Sequence, residues 1–98
     1  MLGLIKMLSL STIQKRLSNL KNWALDGSFI VKDFDFNSFK EIGEFVNKIA
    51  EIVEKQKHHP SIVINENNLR ISLISHEERG LTTRDFDFAE AVDNITGD

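Results

Sequence analysis

The chain has 98 residues, 41% of them hydrophobic, a net charge of −3 and no cysteine. That length supports one domain with a modest core, because a small fold buries a smaller share of its surface, so oligomerisation is expected. The acidic balance and the lack of a Lys/Arg cluster exclude a phosphate-binding surface for nucleic acid, while the lack of cysteine excludes disulfides and thiolate chemistry and suits a reducing, cytoplasmic setting.

The apolar opening, residues 1–8, is far shorter than the roughly 20 residues of a membrane-spanning helix. It also lacks the basic region and small-residue cleavage site of a signal peptide. It reads as an N-terminal extension of a single domain over residues 1–98. Ser9 caps a helix predicted over about residues 10–20, in which Leu10, Ile13, Leu17 and Leu20 recur at helical spacing. Residues 22–36 read as a hairpin rich in β-formers, with its turn at Asp26-Gly27 and with Phe34 and Phe36 facing the core together.

Ser38 and Glu41 form a capping-box pattern that opens a long amphipathic helix running to Lys57. Phe39, Ile42, Phe45, Val46, Ile49, Ile52 and Val53 fall on one arc, and Gly43, Asn47 and Glu51 on the outer one. Pro60 is expected to stop this helix by disfavouring helical geometry at His59. A second hairpin follows, residues 61–65 and 69–76 across Asn67-Asn68, with Leu69, Ile71 and Leu73 on one face and His76 with Arg70, Ser72 and Ile74 on the other. Gly80 marks a loop, and Thr82 with Asp85 opens a last helix whose Phe86, Ala89, Val92 and Ile95 are apolar. The order helix, hairpin, helix, hairpin, helix predicts an α+β domain with an antiparallel sheet and helices on one face.

All three histidines fall in one ordered pattern, His58-His59-Pro60 with Glu54 before it and His76 and Asp85 after it. Imidazole gives and takes protons near neutrality, so the cluster points to proton transfer. His58 at the end of the long helix, where the dipole favours cations, suits a general acid, with Glu54 one turn earlier to orient it. Pro60 forces His59 toward extended backbone, so the two neighbouring rings point in different directions. Each residue also has a purely structural reading: a surface Glu54-His58 pair, a strand-end His76, and an Asp85 that only caps its helix. Adjacent histidines before a proline are poor geometry for chelating one ion and no HExxH-like spacing occurs, so no metal site is expected. No nucleophile-elbow motif surrounds any serine.

The pattern Glu54-x-x-x-His58-His59-Pro60, then His76, then Asp85, resembles the signature of the pterin-4a-carbinolamine dehydratases. The resemblance extends through Asn22-Trp23, the Phe34-x-Phe36-x-x-Phe39 entry to the long helix, Ser75-His76, Gly80-Leu81-Thr82 and Arg84-Asp85, covering residues 9–95. It implies a four-stranded antiparallel sheet with three helices on one side. It further implies dehydration of 4a-hydroxytetrahydropterin, the spent product of pterin-dependent hydroxylases, to quinonoid dihydropterin, with neither metal nor organic cofactor. On that resemblance His58 and His76 are the acid/base pair and His59 holds and polarises the pterin. Asp85 orients a histidine, Glu54 supports His58, and Lys57, Pro60, Ser75 and Glu77 belong to the substrate-binding surroundings.

The chain departs from the family pattern at Glu66, where an aromatic residue is expected ten positions before the third histidine, which puts the pocket wall in doubt. Animal relatives also serve as dimerisation cofactors for a transcription factor, so a protein-binding module is the alternative from another class, and a role in molybdopterin metabolism is a third. The polar outer stripe of the long helix favours a homodimer joined through sheet edges over a tetramer joined through helices.

Overall fold

The computed structural model describes residues 6–96. The first part of the expected N-terminal extension, residues 1–5, lies outside them. The elements are α1 (Leu10–Ser18), β1 (Ala24–Asp26), β2 (Phe29–Asp35), α2 (Phe39–Gln56), β3 (Ser61–Asn65), β4 (Asn68–Leu73) and α3 (Thr83–Thr96). They form one antiparallel sheet of order β1-β2-β4-β3, with the helices on one face. This is the α+β architecture expected from the sequence.

Alternation builds the sheet's inner face. Ile30, Lys32 and Phe34 of β2 stand opposite Leu73, Ile71 and Leu69 of β4, and all six are buried. On the other face Asp33 stands opposite Arg70, and the guanidinium donates to both carboxylate oxygens at 3.0 and 2.9 Å, holding the Asp33 carboxyl below its ordinary pKa. The helix side is filled by Ile42, Phe45, Ile49 and Ile52 of α2 and by Phe86, Phe88, Ala89 and Val92 of α3. Phe45 tilts against Phe34 and Phe36 at ring separations of 4.9 and 5.3 Å, so both strand-end phenylalanines do face the core.

Local capping holds the helix starts where the sequence places them. Ser9 Oγ accepts from Thr12 N and Ser38 Oγ from Glu41 N, both at 3.2 Å. Glu41 reaches back to Asn37 N at 3.0 Å, one residue before the cap. Boundaries governed by backbone conformation differ from the expectation. Helix α1 ends at Ser18 rather than near residue 20, and Leu10 and Phe39 are exposed instead of packed. In the first hairpin Asp26 pairs with Phe29, so the turn is Gly27-Ser28, with Gly27 at φ 60. In the second, Asn65 pairs with Asn68, so the turn is Glu66-Asn67, with Glu66 at φ 56. Helix α2 ends at Gln56 because Lys57 turns left-handed at φ 55, three residues before Pro60 could act. Strand β4 ends at Leu73, so His76 lies in the following turn and not on the strand.

One buried polar knot fixes α3 against the sheet. Lys32 sits on the inner face between two core residues and is 5% exposed. Its Nζ donates to Asp93 Oδ1 at 2.9 Å. Trp23 Nε1 donates to the same oxygen at 2.9 Å, and Lys21 N donates to Oδ2 at 3.1 Å. Removing one partner of a buried ion pair strands the other, so Asp93→Ala should lower the unfolding free energy by about 3–5 kcal/mol. A Lys32→Met/Asp93→Ala double variant should lose less, as read from urea midpoints at unchanged slope. Glu66 bears the left-handed strain of a non-glycine residue, so Glu66→Gly should raise the midpoint, with a gain of up to about 1 kcal/mol.

Candidate active site

The three histidines are brought together where the end of α2, the turn after β4 and the start of α3 meet. The left-handed Lys57 closes α2, its N–H donating to Val53 O at 2.8 Å, and redirects the chain so that His58 is buried and His59 exposed. After β4, Ser75 and Gly80 exchange backbone hydrogen bonds of 3.1 and 3.3 Å and close a small loop that carries the exposed His76, Glu77 and Arg79 and the half-buried Glu78. The loop is braced from outside. Leu8 N donates to Leu81 O at 2.8 Å, and Met7 packs so closely on Gly80 that a Cβ there would lie 2.7 Å from its sulfur. Residues 7 and 8, expected only as an extension, therefore support the site.

Helix α3 supplies the anchor. Thr82 and Asp85 form a reciprocal cap, with Thr82 N donating to Asp85 Oδ2 at 2.9 Å and Arg84 N donating to Thr82 Oγ1 at 3.2 Å. Ser75 Oγ donates to the same Oδ2 at 2.9 Å. Because that hydroxyl has only one proton, its 2.8 Å contact with Thr82 Oγ1 is a bond that Thr82 donates. On the other carboxylate oxygen, Oδ1, Asp85 meets His58 Nε2 at 2.6 Å. A carboxylate accepting on both oxygens places the proton on His58 Nε2 and sets the tautomer.

Asp85 is fully buried and His58 is 7% exposed, with its ring edge-on to Phe88 at 6.2 Å. Among the described residues the only sealed side-chain nitrogen or oxygen without a partner is Glu78 Oε1. His58 Nδ1, which no protein group meets, is therefore open to the cleft. That cleft holds about 180 Å³ and is lined by Lys57, His58 and His59, by Ser75 to Glu78, and by Arg84.

Of the expected site residues, the structure gathers Lys57, His58, His59, Ser75, His76 and Glu77 on this cleft. Asp85 stands behind His58 and does not line the cleft. Ser75 is 2% exposed, with its hydroxyl spent on Asp85, so it supports the anchor. Glu54 does not orient His58: the helix ends before His58, and Glu54 and Pro60 line a separate apolar groove with Val46, Ile49, Val53 and Ile62. His58 is likewise not in the last helical turn, so the dipole argument for a general acid does not apply to it. Glu66 lies at the far end of the β3–β4 hairpin and lines no part of the cleft.

Sequence reasoning missed Arg84 and Glu78 as site residues. Arg84 Nη2 donates to Lys57 O at 3.2 Å, tying the end of α2 to the start of α3. A cation in a helix's first turn opposes the dipole, which was the available signal. Glu78 had none. A larger cleft, about 550 Å³ between β2, α2 and the end of α3, is lined by no histidine. Among the described residues no group of three or more His, Cys, Asp or Glu is placed to hold a metal ion, and no helix is long and apolar enough to cross a membrane.

Comparison with known proteins identifies a family. Residues 6–95 match the family model described as Pterin 4 alpha carbinolamine dehydratase. A protein of Acidobacterium capsulatum provisionally named pterin-4-alpha-carbinolamine dehydratase is 41% identical over 83 residues, covering 85% of this chain and 90% of its own. One of Sulfurisphaera tokodaii with the same provisional name is 34% identical, covering 93% and 98%. Among solved structures, a transcriptional coactivator/pterin dehydratase from Brucella melitensis superposes with a TM-score of 0.86 at 29% identity, covering 92% of this chain and 98% of that one. A pterin dehydratase-like protein identified as a RuBisCO assembly factor in the alpha-carboxysome superposes with a TM-score of 0.66 at 25% identity, covering 79% and 92%. With residues 6–95 matched by the family model and a relative 41% identical over 85% of its length, the chain belongs to the pterin 4 alpha carbinolamine dehydratase family.

Proposed function

We propose that this protein dehydrates 4a-hydroxytetrahydropterin to quinonoid dihydropterin and water, using histidine acid/base catalysis. The observation that carries the reading is His58, pinned through Nε2 by the buried Asp85 with Nδ1 left open to a cleft shared with His59 and His76. A neutral imidazole with its proton held on Nε2 has an acceptor at Nδ1, which suits it to remove the proton from N5. The N5 lone pair forms the C4a–N5 double bond as the C4a–O bond breaks, and His76 protonates the departing hydroxyl so that it leaves as water. Each well-placed group supplies roughly 10²–10⁴-fold. His59 holds and polarises the ring. No electrons are transferred and no hydroxyl needs a Lewis acid to leave, so the reading requires no cofactor. The physiological setting in this reading is cytoplasmic recycling of the pterin spent by a hydroxylase.

The reading includes a homodimer. Strand β3 is an edge strand, exposed along nearly all of Ser61–Asn65, and carries neither charge nor proline, which leaves its backbone open to pairing with a second copy. A second reading, a protein-docking module without catalysis, is favoured by the structural neighbour named as a RuBisCO assembly factor.

Stopped-flow assay of freshly generated 4a-hydroxytetrahydropterin separates the two readings. The wild type should accelerate dehydration, and the His58→Ala/His76→Ala double variant should fall to the spontaneous rate; a folded wild type with no effect favours the docking module. Asp85→Asn, which keeps the size but cannot hold His58 in the same tautomer, should lower kcat on the order of 10²-fold. Light scattering at micromolar concentration should give the mass of a dimer, and a stable tetramer would count against pairing through β3.

A further inference from the structure

The loop that carries His76 stands on two legs. Residues 76–79 share a bond of their own, Arg79 N donating to His76 O at 3.2 Å, and the loop is closed where Ser75 and Gly80 pair. The Ser75 leg is tied through its hydroxyl to the buried Asp85. Gly80 has no side chain with which to do the same. Its cover comes from residues 7–9 instead. Ser9 caps α1, Leu8 packs on the core with its N–H donating to Leu81 O at 2.8 Å, and Met7 lies across Gly80. A Cβ built on Gly80 would lie 2.7 Å from Met7 Sδ and 3.0 Å from its Cγ. The backbone of Gly80 is not left-handed, so its conformation would accept any side chain. It is the approach of Met7 that leaves room only for glycine.

We propose that Met7 is a positioning residue for His76, and that oxidation of its side chain releases the loop. The assignment rests on the dehydratase reading above, in which His76 protonates the departing hydroxyl. Asp85 holds one leg of the loop through Ser75, and Met7 holds the other by covering Gly80. Met7 is 56% exposed, which leaves it within reach of a small oxidant. The chain has two methionines and no cysteine, so peroxide chemistry on sulfur is confined to Met1 and Met7. A sulfur lone pair takes one oxygen of hydrogen peroxide as the O–O bond breaks. The sulfide becomes a sulfoxide, losing two electrons, and the peroxide is reduced to water. A polar sulfoxide no longer packs on Gly80 as the apolar thioether does.

Turnover of 4a-hydroxytetrahydropterin and the ring resonances of the histidines test the assignment in Met7→Ala, Met7→Leu and Gly80→Ala. Met7→Ala should lower kcat roughly tenfold with KM little changed, since a misplacement of about 1 Å costs up to about 10²-fold. Its His76 ring signals should shift or broaden while the His58 Nε2 proton stays in place. Met7→Leu, which keeps the volume, should restore both readouts. Gly80→Ala should reproduce the loss, and the Gly80→Ala/Met7→Ala double variant should be no worse than the poorer single one, because both remove the same contact. Peroxide should lower wild-type kcat to the level of Met7→Ala, spare Met7→Leu, and be reversed by methionine sulfoxide reductases. Additive losses in the double variant, undisturbed His76 signals in Met7→Ala, or equal peroxide sensitivity of the wild type and Met7→Leu overturns the assignment alone. So does a lower melting temperature with every resonance displaced, which marks a structural role. A wild type without turnover overturns the dehydratase reading, and the His76 signals then decide by themselves whether Met7 holds the loop.

Discussion

The rest of the site depends on one buried carboxylate. Asp85 accepts hydrogen bonds from three separate stretches of chain: from His58 after α2, from Ser75 after β4, and from Thr82 at its own helix cap. Each of those stretches is irregular backbone that the sheet alone would not hold. A carboxylate in a fully buried position needs that many donors to offset its lost hydration, and the donors in turn have no freedom to drift. The need to satisfy Asp85 therefore positions the imidazole.

Helix α3 uses the same device twice. Asp93 lies eight residues further along, about 12 Å at the rise of an α-helix, and gathers Lys32, Trp23 and the backbone of Lys21 toward the other end of the helix. Between the two acids Phe86, Phe88, Ala89 and Val92 are fully buried. The helix is thus a buried spine with an anion at each end, one anchoring the sheet and the first strand pair, the other anchoring the reactive loop. Separating the two jobs lets the His76 loop be held by few local bonds while the core keeps its packing through a different set.

The sheet faces and the helix starts were legible because their causes are local. Alternation puts Ile30 and Phe34 inward, and a hydroxyl three residues before an acid marks a cap, as Thr82 and Asp85 do. Where the backbone takes a rare conformation, residue type was a poor guide. Lys57 and Glu66 adopt left-handed turns that asparagine or glycine would be expected to fill, so α2 ended early and the second turn fell one residue sooner. That early end detached Glu54 from His58, because an i, i+4 pairing holds only while the helix lasts. The partners that matter most are distant in the chain: Lys32 from Asp93 by 61 residues, His58 from Asp85 by 27. A lysine on an inward-facing strand position shows that some acid must meet it, but not which one. The family resemblance implies one site for the histidines and Asp85; the structure adds that Asp85 is sealed and bonded to His58.

The central claim is that Asp85 holds the proton of His58 on Nε2 and leaves Nδ1 free for the cleft. Long-range proton–nitrogen correlation of the histidine rings in labelled protein tests it most directly. The account predicts that His58 carries a slowly exchanging, downfield Nε2 proton that disappears in Asp85→Asn while His59 and His76 show none. A His58 proton found on Nδ1, or a His58 ring unaffected by Asp85→Asn, would contradict it.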